Sequence, residues 1–402
     1  MALTPDADLD SGATGTARAV LRALSDGRRR TVAELCAELP VARSSAVHAL
    51  HRLRTAGLVV EHPVQRATRG RPARAWSLAT SPGLLAVVVA SAHGFLGGVV
   101  RPDGEVLAAV PGPADAAPPG AALSLLDQAL AEAGVTPRDI ALAVLGLPGP
   151  SPLAAPPGGS PLAAPPGADP LGGSHLRRFR EWDGRPAVDV LAAHLGRPVF
   201  GENDANLAAL GEAVHGDSAG AHTVLHISLT NGTGAGLVIG GRLHRGGSRL
   251  AGEIGHLHSD DGGQLCECGA RGCFWQSTSI PALLGELAAA HGRTFTVGDL
   301  DAAVAAGELG IIRALRGFGR ALGRRVADFV VFVDPQAVVV DAALGAASHI
   351  IAAGIREAVD QYTPPMMAAS VRISSGSLGA SAHLLGAAAL ARTEHLLDAV
   401  RP

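Results

Sequence analysis

Between Gly252 and Cys273 the chain reads GEIGHLHSDDGGQLCECGARGC, and three of its four cysteines fall within eight residues. His256, Cys266, Cys268 and Cys273 give the spacing H-x9-C-x-C-x4-C, one imidazole and three thiols. Zinc favours tetrahedral nitrogen and sulfur ligation, and four protein ligands close such a site to water. Gly269 and Gly272 stand where a tight knuckle must fold back on the ion. Clustering of this kind is a metal signature rather than a disulfide framework. One structural Zn²⁺ is therefore expected, pinning a loop that has few apolar residues to pin itself. His258 is the alternative fourth ligand. Cys36, the remaining cysteine, lies among apolar neighbours and reads as a buried core thiol.

The N-terminus MALTPDADLDSGATG is acidic and polar, and no stretch holds 18 uninterrupted apolar residues. Neither a secretory signal nor a membrane span is expected, and unpaired cysteines fit a reducing cytoplasm. With 402 residues, 47% of them apolar, the chain has material for two or three globular units. Charge is unevenly placed. Residues 17–79 carry 12 arginines against four acidic residues, a net of +8, while residues 1–16 are net −3 and 80–402 are net −8. A compact basic segment on an acidic body points to a polyanionic partner for that segment alone. Residues 1–16 read as a disordered acidic tail.

The basic segment has its own architecture. Residues 17–25 show helical apolar spacing, and Thr31 with Glu34 three residues on forms a capping box that opens a second helix. A third helix over about Arg43–Ala56 places Val47, Leu50 and Leu53 on one face, leaving Arg43, Ser44, Ser45, His48, His51 and Arg52 outward. Gly57 stops it, and two short strands follow around a basic turn with Arg69 and Arg71 at its tip. Three helices and a hairpin in this order resemble a winged helix-turn-helix over 17–80. Such a module sets its third helix in the major groove, and its cationic wing suits the minor groove or phosphates. The candidate DNA contacts are Arg43, Ser44, Ser45, His48, Arg52, Arg69 and Arg71.

Beyond Ser81-Pro82-Gly83, strand runs alternate with helical segments, the pattern of an α/β layer fold. SPLAAPPG at 151–158 recurs at 160–167, a proline-rich loop expansion to which no function is assigned. A strand ending at Glu202 delivers Asn203-Asp204-Ala205-Asn206 onto a new helix, the kind of place where α/β folds set ligand groups. Asp204 there is either a general base for a hydroxyl or an N-cap. The turn Thr230–Gly236 is either a phosphate cradle or an ordinary glycine-rich turn.

Gly146-x-Pro148-Gly149, Glu202–Asn206, Gly232-Thr-Gly234, GEIGH and the CxCGxxGC knuckle occur in order. With the N-terminal module they resemble the ROK family of repressors, open reading frames and sugar kinases, over about residues 17–395. The resemblance implies an α/β, actin-like (ribonuclease-H-type) fold of two lobes around a sugar cleft, and a homodimer or tetramer. The first lobe is expected over 81–200, completed by a C-terminal helix at 381–402, and the second over 201–380 with the zinc knuckle. It also implies that Asn203, Asp204, Glu253 and His256 line the ligand site, His256 ligating zinc as well.

Three departures from the family pattern bear on activity. The kinase phosphate loop Asp-x-Gly-Gly-Thr is replaced by Ala90-Ser91-Ala92-His93-Gly94, and a glycine run near Val340 by Asp341-Ala342-Ala343. Phosphoryl transfer rests on positioning and charge stabilisation, so these losses remove it and leave Asp204 a vestigial base. The family's sugar-binding Glu after the knuckle is Trp275, which cannot accept a hydrogen bond but can stack on a sugar. The sequence thus reads as a non-enzymatic, DNA-binding regulator of transcription, a repressor responsive to a sugar or other small molecule and directed to an inverted repeat. The competing readings are an ATP-dependent sugar kinase carrying a DNA-binding module, and a DNA-binding protein without an effector.

Overall fold

The computed structural model describes residues 11–24, 28–64, 73–79, 83–91, 94–113, 117–149, 179–229 and 232–398. They divide into two compact units: one of the residues up to Gly83 together with those from Ala388 on, and one from Leu84 to Ala387.

In the first unit, α1 (Ser11–Ala23), β1 (Arg30–Thr31), α2 (Val32–Glu38) and α3 (Arg43–Thr55) precede a hairpin of β2 (Val59–Val64) and β3 (Ala73–Leu78). Helix α1 starts at Ser11, so residues 11–16 are helical rather than part of a tail. The α2 capping box forms: Thr31 Oγ1 accepts from the Glu34 amide, and the Glu34 carboxylate accepts from the Thr31 amide at 2.6 Å. Val20, Leu21, Leu24, Leu35, Leu50, Leu53 and Trp76 make the core. Helix α3 buries Ala46, Ala49, Leu50 and Leu53. Val47, expected on that face, is instead 48% exposed, because a stripe running through 46, 49, 50 and 53 turns position 47 outward. Cys36 is half-buried rather than buried. Residues 1–10 and the expected wing tip with Arg69 and Arg71 lie outside the described residues.

The second unit contains two five-stranded sheets of one topology. In the first, β4 (Leu84–Ser91), β5 (Gly94–Val100) and β6 (Val106–Pro111) form an antiparallel meander. After α4 (Gly120–Glu132), β7 (Ile140–Leu147) lies parallel to β4. The small pair β8 (Glu181–Trp182) and β9 (Arg185–Pro186) then leads through α5 (Ala187–Leu195) to β10 (Val199–Asn203), parallel to β7. Helix α6 (Asp204–His215) leads to the second meander, β11 (Thr223–Ser228), β12 (Gly234–Ile239) and β13 (Arg242–Leu243). The short α7 (Trp275–Thr278), then α8 (Ile280–His291), α9 (Val297–Ala305) and α10 (Leu309–Val333), precede β14 (Ala337–Val340). Helices α11 (Ala346–Tyr362) and α12 (Pro365–Ser370) precede β15 (Arg372–Ser375), and α13 (Ser381–Asp398) ends the described chain.

Read in order, the sheets are β6-β5-β4-β7-β10 and β13-β12-β11-β14-β15, a meander followed by two parallel strands in each. This doubled arrangement is the actin-like, ribonuclease-H-type fold. Parallel strands buried on both faces need continuous apolar runs, and β4, β7 and β14 supply them, while β11 buries Thr223, His226 and Ser228 among its apolar residues. The first turns of α13 press on α6, where a Cβ at Gly386 would meet the Leu207 carbonyl at 1.8 Å. From Ala388 the same helix belongs to the first unit. Among the described residues no helix is long and apolar enough to cross a membrane. The duplicated SPLAAPPG stretch lies outside the described residues.

Candidate ligand and metal site

The end of β10 and the start of α6 build one wall of a cleft. Asn203 is the N-cap: its Oδ1 accepts from the Asn206 amide at 3.0 Å, and its Nδ2 donates to the Gly149 carbonyl at 2.8 Å. Asp204 is therefore the first helical residue and not the cap. It is 3% exposed and lines the cleft at the positive end of the helix dipole, which favours an anion there. Glu202, one residue before the cap, is 1% exposed. Its Oε1 accepts from the Asn203 amide and from Asn206 Nδ2, while its Oε2 takes Arg245 Nε at 2.6 Å, with Arg249 Nη2 at 3.6 Å. The sequence quoted Glu202 within its motif but assigned it no role. Its arginine partners lie 43 and 47 residues away, so no local pattern announces them.

Those arginines belong to the segment that carries Glu253 and His256 to the opposite wall. Gly252 sits at φ 96°, and a Cβ there would stand 1.9 Å from the Ala235 carbonyl, so only glycine lets the turn close on β12. Asn203, Asp204, Thr233, Glu253, His256 and Trp275 all line the cleft. The four ligand-site residues expected from sequence are thus brought together. Burial raises the Glu253 carboxyl from its ordinary 4.5 to about 7, against the pull of Arg180.

The knuckle lies directly behind. Ligand atoms of His256, Cys266, Cys268 and Cys273 all fall within 4.8 Å of one another. Cys268 Sγ is 3.5 Å from Cys273 Sγ, and Cys266 Sγ is 3.7 Å from His256 Nδ1. A tetrahedral ion with metal–sulfur bonds of about 2.3 Å sets its ligand atoms roughly 3.4–3.8 Å apart, so the donor set fits a metal ion. The alternative ligand His258 is exposed and pairs with Asp261 instead. Gly272, at φ 64°, permits the fold-back, since a Cβ would meet the Asp260 carbonyl at 1.7 Å. Burial lowers the His256 pKa, favouring the neutral imidazole that a metal requires. Burial also opposes ionisation of Cys266, but hydrogen bonds from Trp275 and Cys268 outweigh it and its pKa falls. The Cys273 thiol is pushed up to about 12 by burial and by its sulfur neighbours, a penalty that a bound cation reverses. Trp275, read from the sequence as able to stack on a sugar, lines the cleft. It also donates Nε1–H to Cys266 Sγ at 3.2 Å, joining the cleft to the knuckle.

The glycine-rich turn and the positions where the sequence departs from the family's kinase pattern are engaged internally. Ser91 Oγ donates to the Gly94 carbonyl across the β4–β5 turn. Thr233 Oγ1 donates to the Thr278 carbonyl at 2.7 Å, so its hydroxyl is tied to α7 rather than turned to a phosphate. Asp341, 5% exposed, accepts from the Ala343 amide at 2.9 Å and the Leu229 amide at 3.3 Å. Asp301 accepts from the Ala346 amide at 2.7 Å at the start of α11. Asp341 thus takes amides just past the ends of β11 and β14, and Asp301 one at the start of α11. On α3, Arg43, Ser44, Ser45, His48 and Arg52 are all exposed on one side of the first unit. Among the described residues neither Arg43 nor Arg52 makes an ion pair, whereas Arg54 and Arg74 both pair with Glu61.

Comparison with known proteins gives two family matches, the ROK family over residues 176–394 and the MarR family over 11–70. The xylose repressor of Bacillus spizizenii is 32% identical over 204 residues, 51% of this chain and 53% of that protein. The chain thus spans about half the length of the repressor relatives it matches. A crystal structure of a ROK family transcriptional regulator, a homologue of the E. coli Mlc protein, aligns over 97% of both chains with TM-score 0.70 at 22% identity. A ROK family glucokinase from Streptomyces griseus, solved with glucose and AMPPNP, aligns over 77% of this chain and 99% of its own, with TM-score 0.62 at 26% identity.

Two outcomes follow from this geometry. Cys268→Ala should lose the bound metal and lower the melting temperature, because thiolate ligation couples the ion to folding. Elemental analysis showing one ion per chain retained in that variant would contradict the ligand set. Glu253 should make stability fall with rising pH. Folded protein keeps a proton that the unfolded chain has lost, so this contribution is full below pH 4.5 and is gone once the pH passes about 7. It amounts to at most about 3 kcal/mol. Denaturant titrations of wild type and Glu253→Gln between pH 4.5 and 8 should differ in slope over that window; parallel curves would refute it.

Proposed function

We propose, from the premise that this chain belongs to the ROK family, that it is a DNA-binding transcriptional repressor governed by a sugar-like effector and devoid of kinase activity. The observation that carries the reading is the outward face of α3, where Arg43, Ser44, Ser45, His48 and Arg52 project with no competing role in the core. In a winged helix-turn-helix that face enters the major groove, short polar side chains meeting base edges while arginines meet phosphates. Arg69 and Arg71 on the wing are proposed to add minor-groove or phosphate contacts. The MarR match to the first unit and the repressor relatives support the same reading.

The cleft supplies the sensor. The Asp204 carboxylate accepts from an effector hydroxyl, and Asn203, whose amide is already engaged on both sides, holds the wall at a fixed height. Glu253 adds a second carboxyl on the far wall. Zinc is the ion proposed for the His256, Cys266, Cys268 and Cys273 set; with all four positions filled by protein it supplies structure and not reactivity. With His256 Nδ1 on the ion, Nε2 carries the proton and can donate to a ligand oxygen. Phosphoryl transfer is not part of the proposal, because the chain has Ala90–Gly94 in place of the Asp-x-Gly-Gly-Thr loop and Asp341-Ala342-Ala343 in place of the glycine run, with Asp341 accepting from the Ala343 amide. A cytoplasmic homodimer or tetramer on an inverted repeat completes the reading.

Fluorescence anisotropy on duplex DNA across a salt series tests it. Arg43→Ala and Arg52→Ala should each weaken binding to all sequences and lower the salt slope by about one per lost phosphate contact. Unchanged affinity in both would defeat the DNA-binding assignment. An ATP-consumption assay with common hexoses should give no turnover, and turnover abolished by Asp204→Asn would restore the kinase reading.

A further inference from the structure

Val47 is an aliphatic side chain in a place that neither the core nor the surface explains. It is 48% exposed in the second turn of α3, while its neighbours Ala46, Ala49, Leu50 and Leu53 carry the packing. Around it, Arg43, Ser44, His48 and His51 line the same shallow depression, the i−4, i−3, i+1 and i+4 neighbours that share its side of the helix. A single valine ringed by an arginine, a serine and two histidines is too small an apolar patch to seat a protein partner. Charge complementarity favours a polyanion on this face, since Arg43 and Arg52 have no acidic partner among the described residues and the segment is strongly basic.

A polyanion with base edges offers a valine one complement. In the major groove every base edge presents hydrogen-bonding atoms, and the only apolar group is the C5-methyl of thymine. Set against a guanine, adenine or cytosine edge, the valine methyls would strip water from donors and acceptors and return nothing. Set against thymine they bury a methyl. We infer that Val47 reads the 5-methyl group of a thymine in the target DNA and fixes T at one position of each half-site. Ser44 and His48, on either side of it, take the hydrogen-bonding edges of the flanking base pairs. The inference rests on the DNA-binding reading and names what one residue of that surface recognises.

The test uses the full-length protein and a random duplex library. Sequences enriched by wild type define a consensus, and each T in it is then replaced singly by deoxyuridine, which lacks only the methyl group. One position per half-site should lose affinity by about four-fold, the factor that burial of one methyl-sized group corresponds to. Val47→Ser should bind the T and U duplexes equally while melting close to the wild-type temperature, because Ala46, Ala49, Leu50 and Leu53 are the residues this helix buries. Leu50→Ala, by contrast, should lower the melting temperature. If a consensus emerges but no T-to-U replacement matters, or if Val47→Ser keeps the same T preference, the inference is overturned and the DNA-binding reading survives. If no sequence is enriched, and Arg52→Ala binds bulk DNA as wild type does, both fail.

Discussion

A carboxylate withdrawn from water must be repaid in hydrogen bonds and countercharge, and Glu202 is where this molecule meets that demand. Two neutral donors hold one of its oxygens and arginines the other. Removing one partner from such a buried pair typically costs about 3–5 kcal/mol, because the remaining charge is left uncompensated. The consequence is geometric as well as energetic. The backbone of the α6 N-terminus and the segment through Arg245 and Arg249 are bound to the same two oxygens. Asn203 and Asp204 on one side, and Glu253 and His256 on the other, therefore take their separation from a single side chain. The two walls of the cleft are joined through this ionic frame, and the Asn203 side chain adds a second tie, to the Gly149 carbonyl.

Local signals in the sequence were legible where the chemistry is local. The knuckle ligands lie close in sequence, the Thr31 capping box reaches three residues on, and strands β4 and β7 announce themselves as apolar runs. Where two neighbours are equally suited, reading stops short: Asn203 and Asp204 are both good N-caps, and only the backbone direction at the end of β10 decides that Asn203 caps. Val47 misleads for a related reason. Spacing of three residues through 47, 50 and 53 imitates a helical stripe, yet 46, 49, 50 and 53 follow the helix period more closely and win the core. Helix α1 begins earlier than its apolar spacing suggests because Gly and Thr between residues 11 and 16 dilute the signal.

Partners distant in the chain leave no such trace. The union of Glu202 with Arg245, the cap that Asp301 places on α11, and the donation from Trp275 to Cys266 all depend on how elements fold together. Asp341 was readable as a charge near a nucleotide position, but not as a carboxylate already satisfied by two amides. These internal contacts give the altered phosphate-binding positions a positive role. The Leu229, Ala343 and Ala346 amides are closed by the protein's own carboxylates, which satisfies polar groups that would otherwise need water.

The last helix carries a different kind of consequence. Residues from Ala388 on are counted in the compact unit formed by the residues up to Gly83, so that unit is discontinuous in the chain. Synthesis proceeds from the N-terminus, and units that are contiguous in sequence can fold as they emerge. Here the last part of the unit bearing α3 is synthesised after every strand of both sheets. The helices and hairpin before Gly83 hold a core of their own, Val20, Leu24, Leu35, Leu50, Leu53 and Trp76, all of it synthesised before either sheet, and the last helix joins that unit only when the chain is nearly finished.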